Sequence, residues 1–404
     1  MSAKELRRTK KHTEDSRRFQ SFDETFKYCT YGLAFALIYP NRVTIKKRLG
    51  IFVFFMFANS IQLYWFGTAL VTSLIRLDMV NLTRHLTVGI LIILFIFKTI
   101  YCIYNTEKFE NILNTISDDM IEFNNEKEAF KDTCEEYIKK ARIGQLVWVV
   151  LPIFLALQYP VYAGICLIYD NLTMDYPGRY MVHEMDIAHL TAVQDISPYF
   201  EFIFIMSLLT VMCLVPNFIG FEGFFCISTT HLCLKLKYVS YIISKAFEGA
   251  EDSLELNNKI KQGIQIHQKA LKYYEDLQNF FEPWLFLIFV MTSTCVSFNL
   301  YQVYILTSPD PKHIIFGITT ICHTYINCVY ASNLTQCGED LALDLYNVSW
   351  EKRFDIRGMK LLIFMIARAQ RPLELGGYGI VVYNMQLFIA IMKTSYSFYT
   401  LITN

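Results

Sequence analysis

The residues best suited to chemistry lie in the last apolar stretch of the chain, Tyr378 to Ile402, and they offer hydroxyl groups to water. The second half of this stretch carries the polar residues Lys393, Thr394, Ser395, Tyr396, Ser397, Tyr399 and Thr400. A helix surrounded only by lipid gains nothing from such groups, whereas a helix with one face on water or on other helices uses all of them. We therefore expect this stretch to line an aqueous pathway.

The position of Lys393 leaves two interpretations open. At about 1.5 Å per residue it lies about 22 Å along the helix from Tyr378. The ammonium group either reaches the outer interface or points into water.

Aromatic side chains with isolated polar groups recur at helical spacing in the outer halves of the middle apolar stretches. This pattern is typical of an apolar pocket with one or two hydrogen-bonding groups, which suits a small volatile or lipid-like molecule. Ordinary helix packing leaves the same pattern. The candidate ligand-binding residues are Phe154, Gln158, Tyr162, Phe202, Met206, Phe298, Tyr301, Phe316, Thr320 and His323.

No motif in the chain indicates an enzyme. A phosphate-binding glycine loop with lysine, a zinc-peptidase His-Glu-x-x-His and a Gly-x-Ser-x-Gly nucleophile turn are all missing from the sequence. The long loop Asp170–Pro198 carries His183, Glu184, Asp186, His189 and Asp195, for which a metal site is conceivable, but a solvated loop is the preferred interpretation. We expect no catalytic residue, no metal, no cofactor and no nucleic-acid partner.

Few ionisable residues fall inside the apolar stretches. Lys98 lies toward one end of its stretch, so extension of its side chain to the membrane–water interface explains why a charged residue is tolerated there. Glu201, Glu222 and Glu282 fall at stretch ends, where interfacial solvation is the simplest interpretation. The sequence shows no buried carboxylate pair, which argues against a pump or a membrane hydrolase.

The composition is that of a membrane protein. Of the 404 residues, 53% are hydrophobic and 16% are aromatic, more than is usual for a soluble domain. Seven apolar stretches are long enough to span a bilayer, which takes about 20 residues. We predict an all-α polytopic protein with transmembrane helices near Gly50–Leu74, Leu86–Tyr104, Ile143–Ile168, Tyr199–Phe221, Pro283–Leu306, Ile314–Ala331 and Tyr378–Ile402.

The distribution of Lys and Arg predicts the orientation. The N-terminal segment and every second connection carry 31 of these residues, and the other three connections carry four. Because cytoplasmic loops are enriched in Lys and Arg, the N-terminus is expected in the cytoplasm and the C-terminus outside the cell. This is the reverse of a G-protein-coupled receptor. The sequons at Asn81 and Asn171 then fall outside and are the predicted glycosylation sites.

The long cytoplasmic connections predict a second, non-membrane layer of helices. Apolar Leu361–Ala367 is too short to span and is expected to be a buried cytoplasmic helix. In one of these connections a set of residues recurs at alternating spacings of four and three, which predicts a seam that packs against other helices. Such a layer either holds subunits together or forms a bundle within one chain. The seam comprises Ile260, Ile264, His267, Leu271, Tyr274, Gln278 and Phe281.

The C-terminal region resembles that of the insect odorant receptors. The resemblance rests on Arg368-Ala-Gln-Arg-Pro372, then Gly-Gly-Tyr, then a final stretch ending Lys-Thr-Ser-Tyr-Ser-Phe-Tyr-Thr-Leu. The chain looks most like the tuning, odour-specific receptors, with a moth-like pattern. It lacks the large cytoplasmic insertion of the family's co-receptor and is therefore not expected to be that subunit.

The resemblance implies a ligand-gated, non-selective cation channel in the plasma membrane of a sensory neuron dendrite. It implies a heterotetramer with the co-receptor, held by a cytoplasmic anchor that falls on Gly338–Pro372 and the seam ending at Phe281. A small volatile ligand would sit in the outer half of the bundle. Tyr396 and Leu401 would lie at the gate, and the implied pore residues are Thr394, Tyr396, Ser397, Phe398, Thr400 and Leu401.

This layout divides the chain into four parts. We expect a cytoplasmic N-terminal segment at residues 1–49, six transmembrane helices at 50–331, an anchor at 332–377 and a pore-lining helix at 378–404. Two other classes stay open. A G-protein-coupled type of sensory receptor would need its N-terminus outside, and a transporter would be expected to show an internal repeat that this sequence lacks.

Overall fold

Long helices make up most of the molecule. The computed structural model describes residues 18–40, 45–175, 178–183, 187, 190, 192–305, 311–352 and 355–403. The helices are α1 (Phe22–Thr25), α2 (Lys27–Phe35), α3 (Ile45–Ile75), α4 (Met79–Tyr104), α5 (Thr106–Phe123), α6 (Glu128–Thr173), α7 (Tyr199–Gly249), α8 (Ser253–Ile305), α9 (Pro311–Tyr346), α10 (Ile356–Ala369) and α11 (Met385–Thr403). A 3₁₀ turn covers Trp350–Lys352. The prediction of an all-α fold is confirmed.

Several of these helices could cross a bilayer. By length and composition, five of the described helices qualify, namely α4, α6, α7, α8 and α9. A sixth is α3, whose parts Leu49–Phe57 and Asn59–Ile75 meet at 41°. The final helix α11 has 19 residues, enough for a span, but with its polar run it is not among the helices that qualify by composition.

The helices do not stop where the apolar stretches stop. The stretch near Tyr199–Phe221 runs on without interruption past Gly223, and α7 has 51 residues in all, from Tyr199 to Gly249. Similarly, α9 continues without a break beyond the expected boundary at Ala331. These extensions pack together with α1, α2, α5 and α10. We call this part of the molecule the inner half; it is the end that the Lys and Arg count assigns to the cytoplasm.

The largest hydrophobic core lies in this inner half. Its centre is a stack of aromatic rings contributed by α5, α7 and α8, among them Phe109, Phe224, Phe280 and Trp284, which are all fully buried. Ring centroids of Phe109 and Phe224 lie 4.6 Å apart. The predicted seam on α8 faces this core, because Ile260, His267 and Phe281 are buried. Two smaller clusters lie in the outer half.

The N-terminal helix α2 reaches this core by a close backbone approach. A Cβ added to Gly32 would lie 2.6 Å from the backbone nitrogen of Gly220 on α7. A Cβ on Gly220 would meet the backbone of Leu33 at 2.5 Å in the same way. The two helices can lie this close together because both facing positions are glycine, which has no Cβ.

The start of the last helix differs from the prediction. Instead of a helix from Tyr378, two short strands β1 (Gly376–Gly377) and β2 (Val381–Val382) form a hairpin before α11. Gly377 lies directly against α8, where a Cβ would be 2.7 Å from that of Phe286. Asn384 then begins α11, since its Oδ1 accepts a hydrogen bond from the amide of Leu387. The glycines and this cap together delay the helix.

Candidate ligand cavity and pore helix

A cavity of about 130 Å³ lies in the outer half, enclosed by α3, α4, α6, α7, α8 and α9. Its walls are almost entirely apolar. An apolar cavity of about 150 Å³ holds a molecule the size of benzene, so this one matches a single small ring or short chain. The walls include Phe66, Val88, Ile90, Leu91, Leu94, Trp148, Leu151, Pro152, Leu155, Ala156, Tyr159, Leu214, Phe218, Ile288, Met291, Cys295 and Phe316.

The hydroxyl groups on the wall are mostly engaged. Thr292, Thr319 and Thr320 each donate to a carbonyl in the preceding turn of their own helix. Thr210 donates to the side-chain oxygen of Asn59 at 2.5 Å. These groups therefore present methyl groups rather than free hydroxyls to a ligand.

A buried ion pair lies at the inner end of the cavity. Lys98 Nζ on α4 lies 2.5 Å from Glu222 Oε1 on α7, and both side chains are fully buried. The same carboxylate oxygen lies 3.3 Å from Nε2 of His323 on α9. The ammonium group also lies 3.9 Å from the centre of the Phe218 ring. Three helices thus converge on one carboxylate.

This cluster corrects two sequence-based interpretations. Lys98 does not extend toward an interface, and Glu222 is not solvated at a helix end. Each is the counter-charge that makes burial of the other tolerable. A lone Lys and a lone Glu in otherwise apolar stretches were the signal, but their separation of 124 residues hides the pairing.

A pair of histidines lies at the outer end of the cavity. His183, from the connection between α6 and α7, lines the cavity and places Nε2 3.2 Å from Nδ1 of His85. Burial, with the charges of His85 and Arg84, holds the pKa of His183 well below its ordinary value. Of the loop residues considered for a metal, Glu184, Asp186 and His189 lie outside the described residues. Within the described part, no group of three potential ligands converges.

Three of the ten predicted ligand-binding residues line the cavity, namely Phe316, Thr320 and His323. Met206 is buried in a separate outer cluster with Phe200, and Tyr301 is also buried. Gln158 has a buried amide with no hydrogen-bond partner in the described structure, and Phe298 is half-buried. None of these four belongs to the cavity wall.

The remaining three predicted residues face outward. Phe154 is 57% exposed, Phe202 is 49% exposed, and Tyr162 lies beneath the ammonium of Lys312. The face of α6 that lines the cavity is the neighbouring one, which carries Trp148, Leu155 and Tyr159. Because α6 is apolar around its circumference, periodicity alone could not select the correct face.

The last helix packs on α8 by one face. Ile391 and Ser395 are fully buried, and Ser395 Oγ donates to the Ser293 carbonyl at 3.2 Å. Thr394, Ser397 and Leu401 lie on a different face at spacings of three and four and are exposed. One exposed face of α11 therefore carries two hydroxyls and an apolar side chain near its end.

The other predicted pore residues lie beside this face. Phe398 is exposed by 43% and sits one turn after Thr394, whereas Thr400 is half-buried. Tyr396 is exposed on another side of the helix and its ring contacts that of Tyr399. Lys393 is exposed, and at about 100° per residue it lies about 80° around the helix from Leu401.

The two predicted glycosylation sites differ in access. Asn171 is exposed near the end of α6, with its amide donating to the Leu167 carbonyl at 2.7 Å. Asn81 is half-buried in the first turn of α4, where its amide donates to Asp78 at 2.7 Å. Thr83 of the same sequon is buried and accepts a hydrogen bond from Gln302. The geometry favours Asn171 as the better acceptor.

Comparison with protein families gives a match over most of the chain. The model of the family described as 7tm Odorant receptor matches residues 78–396. Odorant receptor 85c of Drosophila melanogaster is 24% identical over 179 residues, which are 44% of this chain and 46% of that protein. Odorant receptor 10 of Aedes albopictus is 19% identical over 315 residues, or 76% of this chain and 80% of that protein. The first of these alignments thus spans less than half of the relative.

The fold is also shared with solved structures. The insect olfactory receptor OR5 from Machilis hrabei, determined in complex with eugenol, superposes with a TM-score of 0.72. The match covers 94% of this chain and 99% of that one at 14% sequence identity. A second structure of the same receptor gives the same TM-score over 92% of this chain.

Proposed function

Because this chain belongs to the insect odorant receptor family, we propose that it is the odour-binding subunit of a ligand-gated, non-selective cation channel. Its ligand is a small volatile or lipid-like odorant or pheromone. Its partner is the family's co-receptor in a heterotetramer, in the plasma membrane of a sensory neuron dendrite. The observation that carries the proposal is the apolar cavity in the outer half, with an ion pair packed against His323 and Phe218 of its wall.

The cavity supports the binding role by its size and its walls. A volume of about 130 Å³ and walls of aromatic and aliphatic side chains suit a molecule with few polar atoms. Six helices contribute to the wall, so a ligand that prefers one arrangement of these helices shifts the population toward it. This is the coupling that a ligand-gated channel requires.

The exposed face of α11 supports the conducting role. Thr394 and Ser397 offer hydroxyls, and Leu401 offers an apolar constriction, on a surface that other described elements of the chain leave uncovered. Copies of α11 from several subunits would surround a water-filled path with Leu401 near its outer mouth. Tyr396 would then lie at the side of the path, against a neighbouring subunit.

The inner half supports assembly with other subunits. On α10, Leu362 and Met365 pack into the core, while Ile363 and Phe364 are 62% and 74% exposed. Exposed large apolar groups in a layer outside the membrane call for a covering partner. The division into an N-terminal segment at 1–49, six transmembrane helices at 50–331, an anchor at 332–377 and a pore helix at 378–404 is part of this proposal.

The test is to co-express the chain with the co-receptor and to record currents while volatiles are applied. Ala156→Phe would fill the cavity and should abolish the response or weaken it at least tenfold. Leu157→Phe places the same aromatic ring on the exposed side of the same helix and should leave the response unchanged. Equal behaviour of the two variants would refute this cavity as the ligand site.

The pore assignment has its own test. Ser397→Cys should be blocked by a charged thiol reagent while the ligand is present, whereas Ser395→Cys, at a buried position, should not. The unaltered chain controls for its own cysteines. Block of the Ser395 variant alone would refute the assignment. An N-terminal tag that stains on unpermeabilised cells would refute the orientation and favour a G-protein-coupled receptor.

A further inference from the structure

The inner end of the cavity carries a chemical preference that its apolar walls do not show. We infer that Nδ1 of His323 accepts a hydrogen bond from the ligand, so that the receptor selects alcohols and phenols over carbonyl compounds of the same shape. This inference rests on the proposed function, since it concerns the ligand of the same cavity.

The tautomer of His323 follows from its neighbour. Glu222 Oε1 already accepts a hydrogen bond from Lys98 at 2.5 Å, and it lies 3.3 Å from His323 Nε2. An ionised carboxylate only accepts hydrogen bonds, so Nε2 carries the ring proton and donates it. In a neutral imidazole the other nitrogen, Nδ1, then has a lone pair and no proton.

The charges around the ring favour this neutral form. Lys98 and Glu222 compensate each other, so the pair has no net charge to offset a second buried cation. The imidazole is held between two rings of the cavity wall, Trp148 at 5.1 Å and Phe218 at 6.2 Å between centroids. A neutral ring fits this apolar surrounding at no cost in uncompensated charge.

The lone pair on Nδ1 is not used within the chain. Among the described residues that line the cavity, two side-chain atoms are buried without a hydrogen-bond partner, His323 Nδ1 and Gln62 Oε1. Both are acceptors. A buried acceptor without a partner is unfavourable, and a ligand that supplies a donor relieves this.

The discrimination is strong because a carbonyl ligand has nothing to donate. An aldehyde, ketone or ester would bring its own lone pairs against Nδ1, whereas a hydroxyl on the same carbon skeleton donates directly. Loss of one such hydrogen bond, with the acceptor left buried, corresponds to about 10- to 100-fold in affinity. The apolar walls bind both members of such a pair equally, so the difference between them isolates the contribution of Nδ1.

The test uses matched pairs of small probes, benzyl alcohol with benzaldehyde and cyclohexanol with cyclohexanone. Currents are recorded with the co-receptor, and the ligand-induced rise in melting temperature is measured on the purified receptor complex. The alcohol should act at 10- to 100-fold lower concentration within each pair. His323→Leu should remove the difference within the pair, and His323→Asn, which retains an acceptor beside Glu222, should restore most of it.

The outcomes separate the two proposals. Equal potency of alcohol and carbonyl in the unaltered receptor, or a preference that persists in His323→Leu, overturns the role of Nδ1 while the channel function stands. Selective stabilisation by alcohols without any current leaves the role of Nδ1 standing and overturns the channel. Surface expression of each variant, followed with an epitope tag, shows that the comparison is made between folded receptors.

Discussion

Removing one member of the buried Lys98–Glu222 pair should destabilise the receptor far more than removing both. Lys98→Met leaves a carboxylate, and Glu222→Gln leaves an ammonium, fully buried without its counter-charge. Breaking a buried pair from one side typically costs about 3–5 kcal/mol, while replacing both members is near neutral. The double variant should therefore be more stable than either single variant.

The size of the effect can be compared with melting temperatures. For a chain of this size, about 1 kcal/mol moves the melting temperature by about 2 °C. Each single variant should therefore lose about 6–10 °C, and the double variant should recover most of this loss. The measurement is thermal unfolding of detergent-solubilised receptor followed by size-exclusion chromatography, with the coupling read from the double-mutant cycle.

An exposed ion pair on α6 provides the control. Lys140 and Glu136 lie 2.7 Å apart with side chains that are 54% and 61% exposed. Glu136→Gln should cost less than about 1 kcal/mol, since water screens such pairs. If Lys98→Met and Glu222→Gln were each as mild as Glu136→Gln, or if their losses simply added, the two groups would not be paired and buried as described.

Three further predictions concern the inner half and the hairpin. Gly32→Ala should destabilise the receptor by about 1–3 kcal/mol, because the new methyl group would meet the backbone of the facing helix at 2.6 Å; Gly164→Ala, where nothing lies within 4 Å, is its control in the same melting assay. Burial lowers the pKa of His267 from 6.5 to about 4, so stability should fall by up to about 3 kcal/mol as the pH falls from 6.5 to 4, and His267→Leu should flatten that slope. Tyr383→Phe should cost about 1 kcal/mol by removing the hydroxyl that donates to a carbonyl of α8 at 2.9 Å, and proteolysis of the hairpin should report it.

Each of these has a clear opposing result. An unchanged melting temperature in Gly32→Ala would mean that α2 does not lie directly on α7. A pH slope that survives in His267→Leu would assign it to another group. Equal protease resistance of Tyr383→Phe and the unaltered chain would show that the hairpin is held by other contacts.

Much of the fold could be predicted from apolar length alone. A run of about 20 apolar residues has few alternatives to a membrane helix, and the stretches near Leu86–Tyr104 and Tyr199–Phe221 both lie in helices. Helix ends are harder to predict, because α7 continues as helix past Gly223 and shows no interruption where the apolar stretch ends. Of the predicted seam on α8, Ile260, His267 and Phe281 are buried and the other four residues are partly buried, because the spacing of the apolar residues is visible where the opposite side of the helix is polar.

The cavity could be predicted only in part. On α9 the polar groups Thr320 and His323 mark one face in an apolar helix, and that face does line the cavity. On α6 aromatic residues occur on all sides, so the spacing indicates Phe154, whereas Leu155 faces the cavity. The ion pair required knowledge of which helices are neighbours, which local patterns in a single sequence do not contain.

The continuity of the long helices has a mechanical consequence. With 53 residues at about 1.5 Å each, α8 is a rod of about 80 Å, more than twice the thickness of the hydrocarbon core. A tilt of such a rod by a few degrees about a point near its middle moves both ends in opposite directions by an ångström or more. Pro283 lies in the interior of α8 and removes one hydrogen bond of its backbone ladder, but the helix continues on both sides of it from the outer end to the inner core. A molecule that binds the inner core and restricts its movement should therefore change the affinity for the odorant. By linkage, the odorant should change the affinity for that molecule by the same factor.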